Sequence, residues 1–321
     1  MSLAIVIGNM IGGPGNTGTG GGSSYILDDF PNALGAFALR KLKSAYSGYP
    51  IHIARTTIGF TEEVNVGFDS NDEVSMDSPV TALVGTTLAT NLGEFLGAPT
   101  YTNPDGLPAA ARSAVVTWYD QSGNGFNFEQ PAGAYRPGFT APGTFYILNG
   151  KPSLNFDGTN DELYQTSVFG LGNTSSDVVH YSVQQFEDNR WVMARGGHNG
   201  DYYLQGQDLA ANQPYGSSPG TNPPNVIFKN GGELVAPTTQ DVYDVFSNLA
   251  TPPAGQTLLT FLGIDFVGWN PVAYPVGYEL WGYDGVLTKG KIQELILYNS
   301  PNHPAQADME TAINDYYTIY P

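Results

Sequence analysis

The chain has 321 residues; only 13% are charged, about half the usual share, against 40 glycines and 23 prolines. Thirty acidic side chains face 12 basic ones, and the formal charge of −18 repels a phosphate backbone, so nucleic acid is excluded as a partner. With no cysteine there is no disulfide, thiolate metal site or cysteine nucleophile, and no apolar run reaches the roughly 18 residues of a membrane span, so no insertion is expected.

Residues 2–7, SLAIVI, read as a short apolar strand. The stretch lacks the basic start of a signal peptide and is broken by Gly8, so a soluble, unprocessed chain is expected, with a secretion route that needs no such signal left open. GNMIGGPGNTGTGGGSS (8–24) follows as a low-complexity arm. Its glycines have no Lys-Ser/Thr behind them, which argues against a phosphate loop. Such an arm is ordered only when something holds it, and neighbouring subunits are the expected partner. Residues 1–25 are therefore read as an anchoring arm and 26–321 as one domain.

The stretch 28–48 is predicted to be a helix: acids and Pro31 stand at its start, Leu34, Ala38 and Leu42 share a face, and Gly48 closes it. YPIHIARTT (49–57) alternates as a strand. Residues 58–112 read as loop-rich, with an acidic run at 68–77 and one ambiguous element near 82–97. Strands are then predicted at 113–120, 144–149, 152–158, 178–186, 190–196, 201–207, 225–231, 257–266, 277–287 and 291–299. An apolar stripe through Met309, Ile313 and Tyr316 predicts a closing helix over 304–320. Many short strands with turn residues between them predict an all-β sandwich with a short helix near each end.

Three segments carry a family resemblance: ALRKLKSAYSGYPIHIAR (38–55), VVTWYDQSGNGFNFEQPA (115–132) and NGKPSLNFDGTNDEL (149–163). In this order they resemble the catalytic domain of the α-L-arabinofuranosidase B family and its relatives in bacteria and phages. The tail, 291–317, is similar to the last strand and closing helix of laminin-G-like domains. The resemblance implies a concanavalin A-like jelly-roll fold over roughly residues 26–321. A Gly-rich arm ahead of such a domain is similar to what phage virion proteins carry.

The family hydrolyses arabinofuranosides with retention, through two nearby carboxyl groups. The stretches that match its catalytic motifs offer Asp201, in GGHNGDYYLQG, and Asp265, in FLGIDFVGWNP. The first motif has a Glu in the family and none here, and the vicinal cysteines of the family's sugar pocket are absent.

Other candidates come from residue type. In WYDQSGNG, Trp118 and Tyr119 offer ring faces to a sugar, while Asp120, Gln121 and Asn124 offer hydrogen bonds. The structural reading of the same stretch is a turn in which Asp120 caps backbone amides beside Gly123 and Gly125. Trp269, Tyr274 and Trp281 lie in the most aromatic segment, which suits sugar stacking or a protein interface. Asp157, Asn160 and Asp161 are oxygen donors dense enough for calcium, although the spacing is not an EF-hand and an Asx-type hairpin turn is the favoured reading. No other cofactor is implied, and the four histidines lack metal spacing.

The leading expectation is a structural phage virion protein, a fibre, decoration or tail-tip subunit. It would be oligomeric or bound in an assembly through residues 1–25, and its lectin-like domain would coat the particle or meet a host-surface glycan. The alternatives are a retaining arabinofuranosidase using Asp201 and Asp265, and a bacterial surface adhesin. The word phage rests on the resemblance and not on composition.

Overall fold

The computed structural model describes residues 25–57, 60–105, 112–165, 168–170, 178–187, 191–195, 202–206, 226–234, 255–264, 278–280, 289–299 and 303–321. The arm at 1–24 lies outside the described residues.

The chain enters through α1 (Ile26–Asp29), a single turn. The helix predicted over 28–48 does not form. Pro31 has no amide to continue it, Asn32 turns left-handed at φ 69°, and Leu34 N–H donates instead to Leu297 O at 2.7 Å. That bond starts β1 (Gly35–Ala38), all four residues of which are buried. The apolar spacing that mimics a helix is here a strand with both faces covered.

Next come β2 (Ile51–Thr57), β3 (Phe60–Val66) and β4 (Val80–Val84), an antiparallel meander. The last two occupy part of the stretch read as loop-rich. Helix α2 (Leu92–Leu96) is capped by the Asn91 side chain, which accepts from Glu94 N, and it ends at left-handed Gly97. The strands that follow are β5 (Ser113–Trp118), β6 (Phe128–Glu129), β7 (Gly138–Ala141), β8 (Thr144–Phe145), β9 (Ile147–Leu148), β10 (Lys151–Pro152), β11 (Leu154–Asp157) and β12 (Leu163–Gln165). Then come β13 (Val178–Phe186), β14 (Trp191–Arg195), β15 (Tyr202–Gly206), β16 (Val226–Lys229), β17 (Gly232–Leu234), β18 (Thr257–Ile264), β19 (Tyr278–Leu280) and β20 (Lys289–Asn299). Helix α3 (Gln306–Tyr317) closes the chain.

The main path runs β17-β16-β18-β13-β20-β11-β7-β5-β2-β3-β4. β20 makes the corner. Along one edge it pairs with β13; along the other, Lys289–Ile292 face β11 while Glu294–Leu297 face β1. One branch carries the path onward, and the other ends in β1. The far side of β1 then meets the turn after β5, where Gln121 N–H donates to Ala36 O at 2.7 Å. The path is thus folded back on itself, and its two halves enclose one core in a jelly-roll β-sandwich.

Phe37 of β1 marks that closure, with its ring 5.6 Å from Trp118 and 4.7 Å from Phe128. The enclosed core also holds Ile53, Val64, Val115, Phe139, Phe156, Phe261 and Leu295. A second core lies on the opposite face of β13 and β20. Val179, Tyr181 and Val183 of β13 pack there with Ile26 and Leu27 of α1 and Met309 and Ile313 of α3. The period-2 alternation of β13 sends one set of side chains to each core. No described helix is long and apolar enough to cross a membrane.

Candidate functional site

The turn after β5 is built from its own polar side chains. Asp120 is buried and accepts from Ala36 N at 2.9 Å, Ser122 N and Ser122 Oγ at 2.8 Å each, and Phe126 N at 3.1 Å. Gln121 is fully buried; its Oε1 accepts from Leu42 N at 2.8 Å, and its Nε2 donates to the carbonyls of Ala38 and Arg40 at 3.0 Å. Asn124 is exposed but donates to the carbonyls of Ala33 and Leu34. Trp118 is fully buried in the sandwich core and offers no ring face to a ligand. The loop is a clasp between β5 and β1. Of its candidates, only half-buried Tyr119 and exposed Asn124 reach solvent.

The acidic turn after β11 is also occupied. Asp157 Oδ1 accepts from Thr159 N at 2.8 Å, an Asx turn. Asp161 accepts from Asp157 N at 3.0 Å and pairs with Arg112 at 3.1 Å. A guanidinium therefore sits where a cation would bind. Asn160 contributes its backbone N–H to Asp157. Burial pushes the Asp161 carboxyl up to about 6, with Arg112 pulling the other way. No group of three or more ligating side chains suited to a metal occurs among the described residues. Asp201, Asp265, Trp269, Tyr274 and Trp281 lie outside the described residues.

The structure gathers a different set on the outer face of the meander. Cross-strand register places Thr81 opposite Asn65, Asn65 opposite His52, His52 opposite Thr117, and Thr117 opposite Glu129. This polar row crosses β4, β3, β2, β5 and β6. The sequence hint is a polar residue between inward apolar ones, Ile51-His52-Ile53 and Val64-Asn65-Val66, whose neighbours face the core. Alternation identifies each strand, but only pairing aligns the polar positions.

Tyrosines edge the row. Tyr119 Oη donates to Asn65 Oδ1 at 2.8 Å and Tyr49 Oη to Thr81 Oγ1 at 3.2 Å, while Tyr46 Oη holds Tyr49 O at 2.8 Å. All three rings are half-buried. Burial, followed by the Asp120 charge and the Tyr119 phenol, raises the Tyr46 phenol. Glu63 lies between a guanidinium and an imidazole: Arg136 Nη1 is 3.2 Å from Oε1 and His52 Nε2 is 3.2 Å from Oε2. The imidazole is in contact with the carboxylate but is not aligned for a hydrogen bond. Burial holds the His52 pKa down, against the pull of Glu63, so the ring is neutral at pH 7. His52, Asn65 and Thr117 are buried within the row, so it meets solvent through exposed Thr81 and Glu129 at its ends and through the half-buried tyrosine rings.

The described residues also line clefts. One, of about 760 Å³, is lined by Thr61, Glu62, Gly85, Thr86, Leu88, Pro104 and Asp105. Behind it buried Arg55 shares one Nη2 between Glu62, at 2.5 Å, and Asp105, at 3.2 Å. Asp105 also accepts from Thr87 Oγ1 and Leu88 N. These bonds, with the Arg55 charge, outweigh burial and hold its carboxyl below the usual range. It stays ionised at neutral pH and is no proton donor. The second cleft, about 260 Å³, is bordered by Arg40, Asp72, Glu73 and Tyr316.

No protein-family model and no curated protein sequence matches the chain. Solved structures similar to it include an arabinofuranosidase complexed with arabinofuranosyl-α-1,2-xylobiose (TM-score 0.45, 13% identity). Others are a point mutant of a GH54 α-L-arabinofuranosidase soaked with 4-nitrophenyl α-L-arabinofuranoside (0.47, 14%) and a GH54 α-L-arabinofuranosidase soaked with a cyclic sulfate inhibitor (0.48, 13%). Each match covers 92% of this chain and 64% of the other, so the chain spans just under two thirds of the length of these enzymes. At this identity and score, the likeness assigns no residue a role.

Proposed function

We propose that the chain is a lectin-like structural subunit of a phage virion, held in the particle through residues 1–25 and presenting its sandwich to a host-surface glycan. The observation that carries the glycan reading is the polar row Thr81–Asn65–His52–Thr117–Glu129 with Tyr49 and Tyr119 beside it. A sugar presents hydroxyls in fixed directions and a C–H face, and a rigid sheet surface with the exposed Thr81 hydroxyl and Glu129 carboxylate beside half-buried tyrosine rings offers partners to both. The net charge of −18 favours neutral over anionic glycans. Support for the arm comes from the junction. The segment that follows the uncharged Gly-rich stretch in sequence is tied to the sandwich, with Tyr25 Oη on Asp72 at 2.6 Å and Leu27 N on Leu42 O at 2.8 Å.

The test is calorimetric titration of the full chain with neutral trisaccharides of arabinose, xylose and glucose, repeated on Tyr119→Ala and Asn65→Ala. Binding that weakens about tenfold in Tyr119→Ala, the worth of one ring contact, supports the face. Absence of binding to every sugar overturns it. Hydrolysis of 4-nitrophenyl α-L-arabinofuranoside, abolished by Asp265→Asn, would replace the reading with the retaining hydrolase.

A further inference from the structure

Among the described residues, the last strand of the path, β4, has a strand partner on one side only. It pairs with β3. On its outer side Val80 N–H reaches Thr90 O at 3.2 Å, and among the described residues no backbone hydrogen bond reaches the outer edge of Thr81–Val84. Sheet edges are normally protected by lysines, prolines or inward charges, because an open edge is a template for another strand. Here the sequence carries no charged residue from Ser78 to Gly93. The bulge between Ala82 and Val84 shortens the run that a partner can match. Leu83 is 49% exposed and Val84 48%, two of the five large apolar side chains exposed among the described residues. An uncharged apolar edge on a chain of charge −18 is where a second copy can approach with least repulsion.

We infer that this edge receives residues 4–7, Ala-Ile-Val-Ile, from the arm of a second copy, which adds as a short strand beside Thr81–Val84. The inference rests on the reading of residues 1–25 as an assembly element. The segment is β-branched and uncharged, so it suits an added strand and brings apolar side chains to Leu83 and Val84. The chain between it and the sandwich, residues 8–24, spans up to about 60 Å when extended, enough to cross to a neighbouring subunit. Its root is fixed at Tyr25, whose Oη donates to Asp72 in the connection between β3 and β4. An arm from one copy to the edge of the next is a directional contact that closes a dimer or ring by repetition.

The experiment is complementation, read as solution mass by light scattering. Two full-length variants are made: Ile5→Pro/Val6→Lys, with a disabled arm and an intact edge, and Leu83→Lys/Val84→Lys, with the reverse. The edge substitutions fall on exposed side chains, and circular dichroism checks that the sheet is intact. The expected result is an oligomer for the unaltered chain, monomers for each variant alone, and a 1:1 dimer when the variants are mixed. If removal of residues 1–24 gives a monomer but Leu83→Lys/Val84→Lys still assembles, the docking place is wrong while the arm reading stands. Failure of the mixed variants to pair has the same meaning. If the unaltered chain is itself a monomer, the arm reading and this contact fall together.

Discussion

Arg40 and Glu294, 254 positions apart, meet in parallel inside the protein: Nε to Oε2 is 2.7 Å and Nη2 to Oε1 is 2.9 Å. Burial pulls the guanidinium's pKa down, but the carboxylate beside it more than offsets this, and the net shift is upward. Tyr317 Oη donates to the same carboxylate at 3.1 Å, and the guanidinium lies 4.1 Å from the Tyr316 ring centre. The pair therefore joins the end of β1, β20 and α3. Removing one partner leaves a buried charge: Glu294→Gln should cost about 3–5 kcal/mol in urea unfolding, whereas Arg40→Met/Glu294→Leu together should cost clearly less.

Asp120 provides a test of clasp against binding residue. Asp120→Ala leaves Ala36 N and Phe126 N without their acceptor, so stability should fall by at least about 3 kcal/mol. Asp120→Asn keeps one acceptor oxygen and should lose less. A residue serving only a ligand would leave the urea midpoint unchanged.

Asp161 should leave a pH signature of unusual sign. Its carboxyl titrates at about 6 in the folded chain against 3.8 ordinarily. Between those values the folded state binds more protons than the unfolded one, so this group's contribution is greatest below pH 4 and is lost as pH rises towards 6. Asp161→Asn removes the titration. The stability of the wild type minus that of the variant should decline from pH 4 to 6 and flatten above 7. A difference that grows with pH would contradict the assignment.

The cap of α2 is a smaller, local test. Asn91 Oδ1 accepts from Glu94 N at 2.9 Å, and Asn91→Ala should cost about 1 kcal/mol, a fall of about 2 °C in Tm for a chain of this size. Asn91→Asp or Asn91→Ser should restore most of it.

Local chemistry in the sequence was enough to specify several parts. The alternation in 178–186 is a strand, and the stripe through Met309 and Ile313 is a helix, because each pattern has a period that only one local geometry satisfies. Gly123, at φ 99°, and Asp120 likewise encode their turn within a few residues. The stretch 34–42 had no such uniqueness. Its apolar spacing fits a helix, and its residues Gly35–Ala38 became a strand because β20, some 260 residues away, supplied hydrogen-bond partners along the backbone. The polar row was invisible for the same reason. Thr81, Asn65, His52 and Thr117 share no motif, and only strand register brings them abreast. Composition and periodicity therefore determined that this chain forms a β-sandwich. Which side chains sit abreast on its outer face, and which edge stays open, are set by long-range pairing, whose partners carry no mark in the local sequence.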